Sequence, residues 1–370
     1  MYTHEKNNAL RQYLKRKATS ATAPSAKVSS LDQLTDVIKI FDTSKMKDML
    51  KEHNNKSNLH RNHQRFIAYL GDTDGFLPMA KVPPAVAEKL DQLLIDFPNF
   101  IDAINHYRQD IALSQLTAER AFSSRPLLIS GPPGVGKTAF CRALANIMQT
   151  NFELIGMSGV TAGFVLGGMS SGWADGKPGK IVESLAKGQK AQGHKANPLI
   201  LIDEIDKIGG DHRYDPFGAL YQLLERETAI SFIDEGLEMS VNCEHIVYVA
   251  TANQIQYIPE AILSRFALIE VQQPSHLQMK KVLQSIYKKI RREHDWGTIF
   301  TEKLPESVIE KVINSGLAPR LIQRELISAC GRAALAKQRS NVGSSCYELS
   351  PDNFQPRSNG EREIKMGFMQ

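Results

Sequence analysis

Residues 131–138 read GPPGVGKT, directly after the apolar run PLLIS and before TAFCRALANIM, whose apolar residues have helical spacing. The spacing is that of G-x-x-x-x-G-K-[ST], and the chemistry open to it is phosphate binding. Glycines let backbone N–H groups turn inward around phosphate oxygens, and the helix that follows aims its N-terminus at the same charge. Gly131, Pro132, Pro133, Gly134, Val135, Gly136 and Ala139 are the expected cradle. Lys137 would reach the β- and γ-phosphates of ATP, and the Thr138 hydroxyl would ligate Mg2+. A second stretch, PLILIDEID at 198–206, ends an apolar run on adjacent acids. The carboxyl end of a buried strand is where α/β proteins place ligand chemistry. There Asp203 can hold the Mg2+ shell and Glu204 can polarise an attacking water. The two stretches together predict ATP hydrolysis, with ATP and Mg2+ as cofactors.

A third stretch, FVLGGMSSGWADGKPGK at 164–180, carries Phe164, Val165, Leu166 and Trp173 among glycines. Its glycine content predicts a flexible loop, yet exposed apolar side chains cost free energy. Such a loop makes physical sense where the side chains insert into another chain.

These residues need a scaffold, and the pattern around them supplies one. From about residue 99 the chain alternates: helix 100–116, apolar run 126–130, helix 137–149, apolar run 152–155, helix 180–192, apolar run 199–203, helix 215–226, apolar run 246–251. Four short apolar runs separated by helices predict a parallel α/β sheet. After residue 274 only helical patterns follow. Upstream, Ser30 and Gln33 make a capping signature for a helix bearing Leu31, Leu34, Ile38 and Phe41. A second helix carries Met46, Met49 and Leu50, a third stops at Gly71, and Val86, Leu90, Leu93 and Phe97 mark a fourth. The expected domains are a disordered basic leader at 1–30, a helical N-terminal segment at 31–94, a large α/β domain at 95–274, a helical lid at 275–340 and a flexible tail at 341–370.

Composition narrows the class. No apolar run approaches the ~20 residues that cross a bilayer, and the basic N-terminus lacks the apolar region of a signal peptide. Cys141, Cys243, Cys330 and Cys346 show no metal-ligand spacing, which predicts reduced thiols and a cytoplasmic protein. Residues 1–65 hold thirteen Lys/Arg against six Asp/Glu, while the whole chain of 370 residues is only +5. A basic arm of this kind can solvate, bind an acidic partner or contact nucleic acid.

YVATANQIQYIPEAILSRF at 248–266 resembles the sensor-1 and arginine-finger segment of AAA+ ATPases, and most of all that of the Lon ATPase module. RYDPFGALYQLLERE, FIDEGLEM and SGLAPRLIQREL are similar to further Lon segments, so the likeness runs over roughly 95–340. The fold it implies is a P-loop AAA+ parallel-sheet domain followed by an all-helical lid. It implies Asn253 as sensor 1, Arg265 as the finger reaching a neighbouring subunit's nucleotide, and Arg320 as sensor 2. A fixed, always-charged guanidinium suits phosphoryl charge. A finger that acts in trans needs a ring or spiral of self-associated subunits, and the resemblance suggests six. It also implies that Phe164, Val165 and Leu166 form a substrate pore loop, to which the insertion SSGWADGK adds Trp173. Lon follows its ATPase module with a Ser-Lys peptidase domain, for which the roughly 30 residues past the lid leave no room.

The leading expectation is an ATP-driven ring that remodels or unfolds polypeptide and serves a separately encoded effector, without peptidase activity of its own. A nucleic-acid motor using the basic arm is an alternative, and an ATP-driven switch for an effector is another. The 164–180 loop has only Lys177 and Lys180 as cations, which favours polypeptide.

Overall fold

The computed structural model describes residues 37–52, 55–157, 162–189, 193–208, 215, 217–340 and 346–356. They form two compact units, each built from separate stretches of chain. The larger holds the chain up to Leu93, Phe100–Gly131 and Lys137–Val271. The smaller holds Leu94–Asn99, Pro132–Gly136 and the chain from Gln272 on. The division is therefore not the sequential one expected, because the middle of the phosphate-binding motif clusters with the helical unit.

The larger unit opens with β1 (Val37–Lys39), α1 (Thr43–Glu52), α2 (Asn58–Leu70), β2 (Phe76–Pro78), α3 (Val86–Asp96, of which Leu94 onward belongs to the smaller unit) and α4 (Ile101–Gln115). It continues with β3 (Leu127–Ser130), α5 (Lys137–Ile147), β4 (Phe152–Gly156), α6 (Ala162–Gly167), α7 (Lys180–Lys187) and β5 (Leu199–Asp203). Then come α8 (Gly218–Leu223), α9 (Arg226–Ala229), β6 (Phe232–Asp234), β7 (Met239–Val241), β8 (Val247–Ala252), α10 (Glu260–Leu263) and β9 (Ala267–Glu270).

Five strands form one parallel sheet in the order β4-β5-β8-β3-β9. Every residue of β3 and β8 is buried, which is why both read as continuous apolar runs rather than alternating ones. The alternating pattern predicts four strands here. β9 is the fifth, an edge strand of four residues whose sequence ALIE is half exposed and too short to stand out.

The N-terminal segment departs from the expectation of an all-helical piece. Ile38 lies in β1, which pairs antiparallel with β2 through Ile38↔Leu77. The Ser30–Gln33 cap and Leu31 and Leu34 lie outside the described residues, as does the basic leader. Ile40, Phe41, Met46, Phe66, Leu70 and Leu77 are buried in the same apolar core as Ile155 and Ile200 of the sheet. Residues 37–52 and 55–80 thus contribute to the α/β unit's core.

The smaller unit carries α11 (His276–Glu293), α12 (Glu306–Asn314) and α13 (Pro319–Ser340). α11 begins with a reciprocal capping box between Ser275 and Gln278. Leu283, Tyr287 and Ile290 of α11, Val308 and Val312 of α12, and Ile322 and Leu326 of α13 share one core. The expected flexible tail is corrected at 346–356. Tyr347 bridges to Phe300, and Leu349 and Phe354 are buried in that helical core. Two apolar residues at the right spacing outweigh the Ser- and Asn-rich composition around them. No helix among the described residues is long and apolar enough to cross a membrane.

Candidate active site

Strand register assembles the site. Ser130 of β3 is level with Ala252 of β8, and Ile202 of β5 is level with Ala250. The residues that follow, Gly131, Asp203–Glu204 and Asn253, therefore emerge side by side at the carboxyl edge. The Gly131 N–H donates to the Ala252 carbonyl at 3.1 Å. Gly131 has φ +150, and a Cβ there would lie 2.2 Å from the Val271 carbonyl oxygen, so only glycine fits.

At the start of α5, the Lys137 ammonium donates to Asn253 Oδ1 at 2.9 Å and also to the Gly131 carbonyl. Burial lowers the Lys137 pKa, and Asp203, Asp206 and Glu204 pull it back up. The Thr138 hydroxyl lies 3.5 Å from Asp203 Oδ2, while Asp203 Oδ1 accepts from the Thr251 hydroxyl. Ala139 follows on the same first turn. Glu204 takes a left-handed conformation, φ 58, which turns the chain sharply off β5. That geometry is costly for a residue with a Cβ and is typical of functional sites. Its N–H donates to Thr251 Oγ1 at 3.0 Å, and its carboxylate meets Lys207 Nζ at 2.7 Å. The Lys207 pair is solvent-exposed and hence weak, leaving the Glu204 carboxylate able to re-aim.

Two residues at this edge escape a reading of motifs alone. Thr251 ties Asp203 to Glu204 through one hydroxyl. Asp206 Oδ2 accepts the backbone N–H groups of Asn253 and Gln254, each at 3.1 Å, and so fixes the turn that presents Asn253. Oδ1 of Asp206 is buried with no hydrogen-bond partner among the described residues. The available signal was the third acid of IDEID, one turn past the strand.

The two arginines have other surroundings within their own units. Arg265 packs against its own chain: Nη2 meets Glu225 Oε1 at 2.6 Å, the guanidinium lies 5.3 Å from the Tyr221 ring centroid, and Nη1 donates to the Ala261 carbonyl. Arg320 is exposed in the first turn of α13. It belongs to the unit that also holds Pro132, Pro133, Gly134, Val135 and Gly136. Within that unit a Cβ at Gly134 (φ +83) would come 3.1 Å from Ala318 Cβ.

The 164–180 stretch corrects the expectation of a flexible loop. Phe164, Val165 and Leu166 lie in the short helix α6, Leu166 is fully buried, and Val165 packs on the core. Buried Leu166 is thereby removed as a gripping residue. The inserted turn is pinned on several sides. Met169 and Lys177 form an antiparallel bridge, Asn58 of α2 donates to the Trp173 carbonyl at 2.6 Å, and Asn62 donates to the Gly176 carbonyl at 3.3 Å. At Gly179 a Cβ would lie 2.1 Å from the Leu166 carbonyl oxygen. The buried Asp234 carboxylate accepts N–H bonds from Gly179, Gly236 and Leu237. What reaches solvent is an aromatic pair, Phe164 with Trp173, rings 5.3 Å apart and Trp173 46% exposed.

The residues present fit Mg2+ and a nucleoside triphosphate. A glycine closes the strand where no side chain fits, an ammonium is held at that turn, and a hydroxyl and a carboxylate offer hard oxygen donors beside it. That arrangement defines a P-loop ATPase-type site on a parallel α/β sheet. Residues 127–273 match the family described as "ATPase family associated with various cellular activities (AAA)". Similar curated proteins are Lon protease homologues, which align over their ATPase region. The mitochondrial homologue of Mus musculus is 30% identical over 226 residues, 60% of this chain and 22% of that protein. The mitochondrial homologue of Zea mays is 37% identical over 145 residues, 39% of this chain and 14% of its own length. The peroxisomal homologue 2 of Arabidopsis thaliana is 33% identical over 214 residues, 56% of this chain and 23% of its own. The chain thus spans about a quarter or less of these relatives. Among solved structures, the extended S. cerevisiae Hsp104:casein complex shares the fold, with TM-score 0.53 at 16% identity over 70% of this chain and 49% of that one.

Proposed function

We propose that this chain is an ATP-hydrolysing AAA+ motor that assembles with copies of itself and remodels polypeptide. The observation that carries the reading is the convergence of Lys137, Asn253, Thr138, Asp203 and Glu204 at the ends of neighbouring strands. Bound ATP supplies the phosphoanhydride bond, and Mg2+ supplies charge neutralisation. Gly131 and the residues Pro132–Gly136 would wrap the phosphates, Lys137 would neutralise their terminal charge, and Thr138 and Asp203 would hold the metal. Glu204 takes the proton from water as general base, and Asn253 orients that water. Arg265 completes a neighbour's site, and Arg320 responds to the nucleotide. Polypeptide is favoured as substrate because the relatives are named as proteases and the structural neighbour is in complex with casein. Exposed Trp173, packed on half-buried Phe164, suits apolar segments of an unfolded chain.

The test is ATP turnover measured side by side with unfolded casein, single-stranded DNA and duplex DNA. Stimulation by casein alone is expected. Stimulation by either DNA and none by casein would replace the polypeptide reading with a nucleic-acid one.

A further inference from the structure

Arg265 is a cation that this chain already occupies. Its guanidinium has five N–H donors. One goes to the Ala261 carbonyl and another to Glu225 Oε1 at 2.6 Å, and the flat face rests on Tyr221. Nε is buried and makes no hydrogen bond to any described residue. A buried donor left unsatisfied is a cost, and it marks a guanidinium parked rather than seated.

Glu225 adds an independent observation. It stands at the N-cap of α9, yet its side chain makes no capping hydrogen bond to that helix. The carboxylate is spent on Arg265 instead. Its side chain is 47% exposed against 23% for Arg265, so the pair is partly screened by water and gives way to a stronger anion. A terminal phosphate is such an anion, offering several oxygens to a fork-shaped donor.

We propose that Glu225, backed by Tyr221, holds the Arg265 guanidinium in cis, and that Arg265 is released only to a second copy of this chain carrying a bound nucleoside triphosphate. Glu225 is then a positioning residue that couples subunit assembly to nucleotide occupancy. The proposal rests on the reading of Arg265 as a finger acting in trans. A subunit without a loaded neighbour keeps its guanidinium folded away, and assembly must break a cis pair before making a trans one.

The test is the subunit concentration at half-assembly, read by sedimentation velocity of the full chain in ATPγS and Mg2+. Glu225→Gln keeps the shape and removes the charge. It should lower that concentration by about 1.5-fold to fivefold, the size expected for a partly exposed ion pair. The shift should vanish when Arg265→Ala is present in both proteins compared. An unchanged or raised midpoint, or a shift that survives Arg265→Ala, overturns the proposal. Should circular dichroism show Glu225→Gln unfolded, Tyr221→Leu takes its place and must shift the midpoint downward too. Mixing Arg265→Ala with Lys137→Ala subunits separates the two ideas. No recovery of turnover defeats the finger in trans, whereas recovery with no Glu225 effect defeats the latch alone.

Discussion

Lys137 is poised by opposing forces: burial depresses its pKa, and three nearby carboxylates offset only part of that. Lys137→Ala therefore removes the one cation the loop turns around, and nucleotide binding should be lost in a fluorescence titration. Glu204→Gln should bind nucleotide normally and hydrolyse it about 100-fold more slowly or worse, the scale of a general base. Turnover at the unaltered rate would take Glu204 out of that role. Asp206 acts one step removed, through the N–H groups of Asn253 and Gln254. Asp206→Ala removes two partly exposed hydrogen bonds, costing about 1 kcal/mol, and lets Asn253 drift from Lys137. The expected signature is a fall in kcat of roughly tenfold with little change in KM. Residues with a fixed chemical task in one contiguous motif were legible from sequence, as GPPGVGKT and LIDE show. Thr251, Asp206 and Glu225 were not, because each earns its place through a partner tens of residues away.

At the scale of elements, the strand hairpin β6–β7 controls the 164–180 segment through Asp234. Burial pushes this carboxyl up to about 7, against the pull of three backbone amides. Its pKa is thus raised on folding, from an ordinary value near 3.8. The folded chain then holds a proton that the unfolded chain has lost, so this contribution to stability is full below about pH 4 and fades as pH rises through 7. The thermal midpoint of the wild type should fall between pH 5 and 8 relative to that of Asp234→Asn, and parallel curves would contradict the assignment. In the helical unit, Phe354→Ala should cost about 3–5 kcal/mol in denaturant unfolding, because a fully buried ring leaves a cavity. The same elements show what sequence could not reveal. Helical spacing at Ile38 lost to strand pairing with Leu77, and Leu166 in a glycine-rich stretch found a core to enter. Phe354 lay in a segment whose average composition hid it. The parallel strands β3, β5 and β8 were plain because burial on both faces leaves only apolar choices.

For the whole molecule, the account holds that one subunit's guanidinium serves another subunit's phosphates. The register of β3, β5 and β8 gathers Lys137, Thr138, Asp203, Glu204 and Asn253 within one chain, while Arg265 pairs with Glu225. On the proposed reading, a site lacking its finger is inactive alone, and a finger without a loaded partner stays folded away. The most direct measurement mixes two inactive proteins, Lys137→Ala and Arg265→Ala, and follows ATP turnover against their ratio at fixed total concentration. Turnover is predicted to rise from near zero for either protein alone to a maximum at intermediate ratios, where intact sites face intact fingers. A flat line at the level of the separate variants would contradict the account.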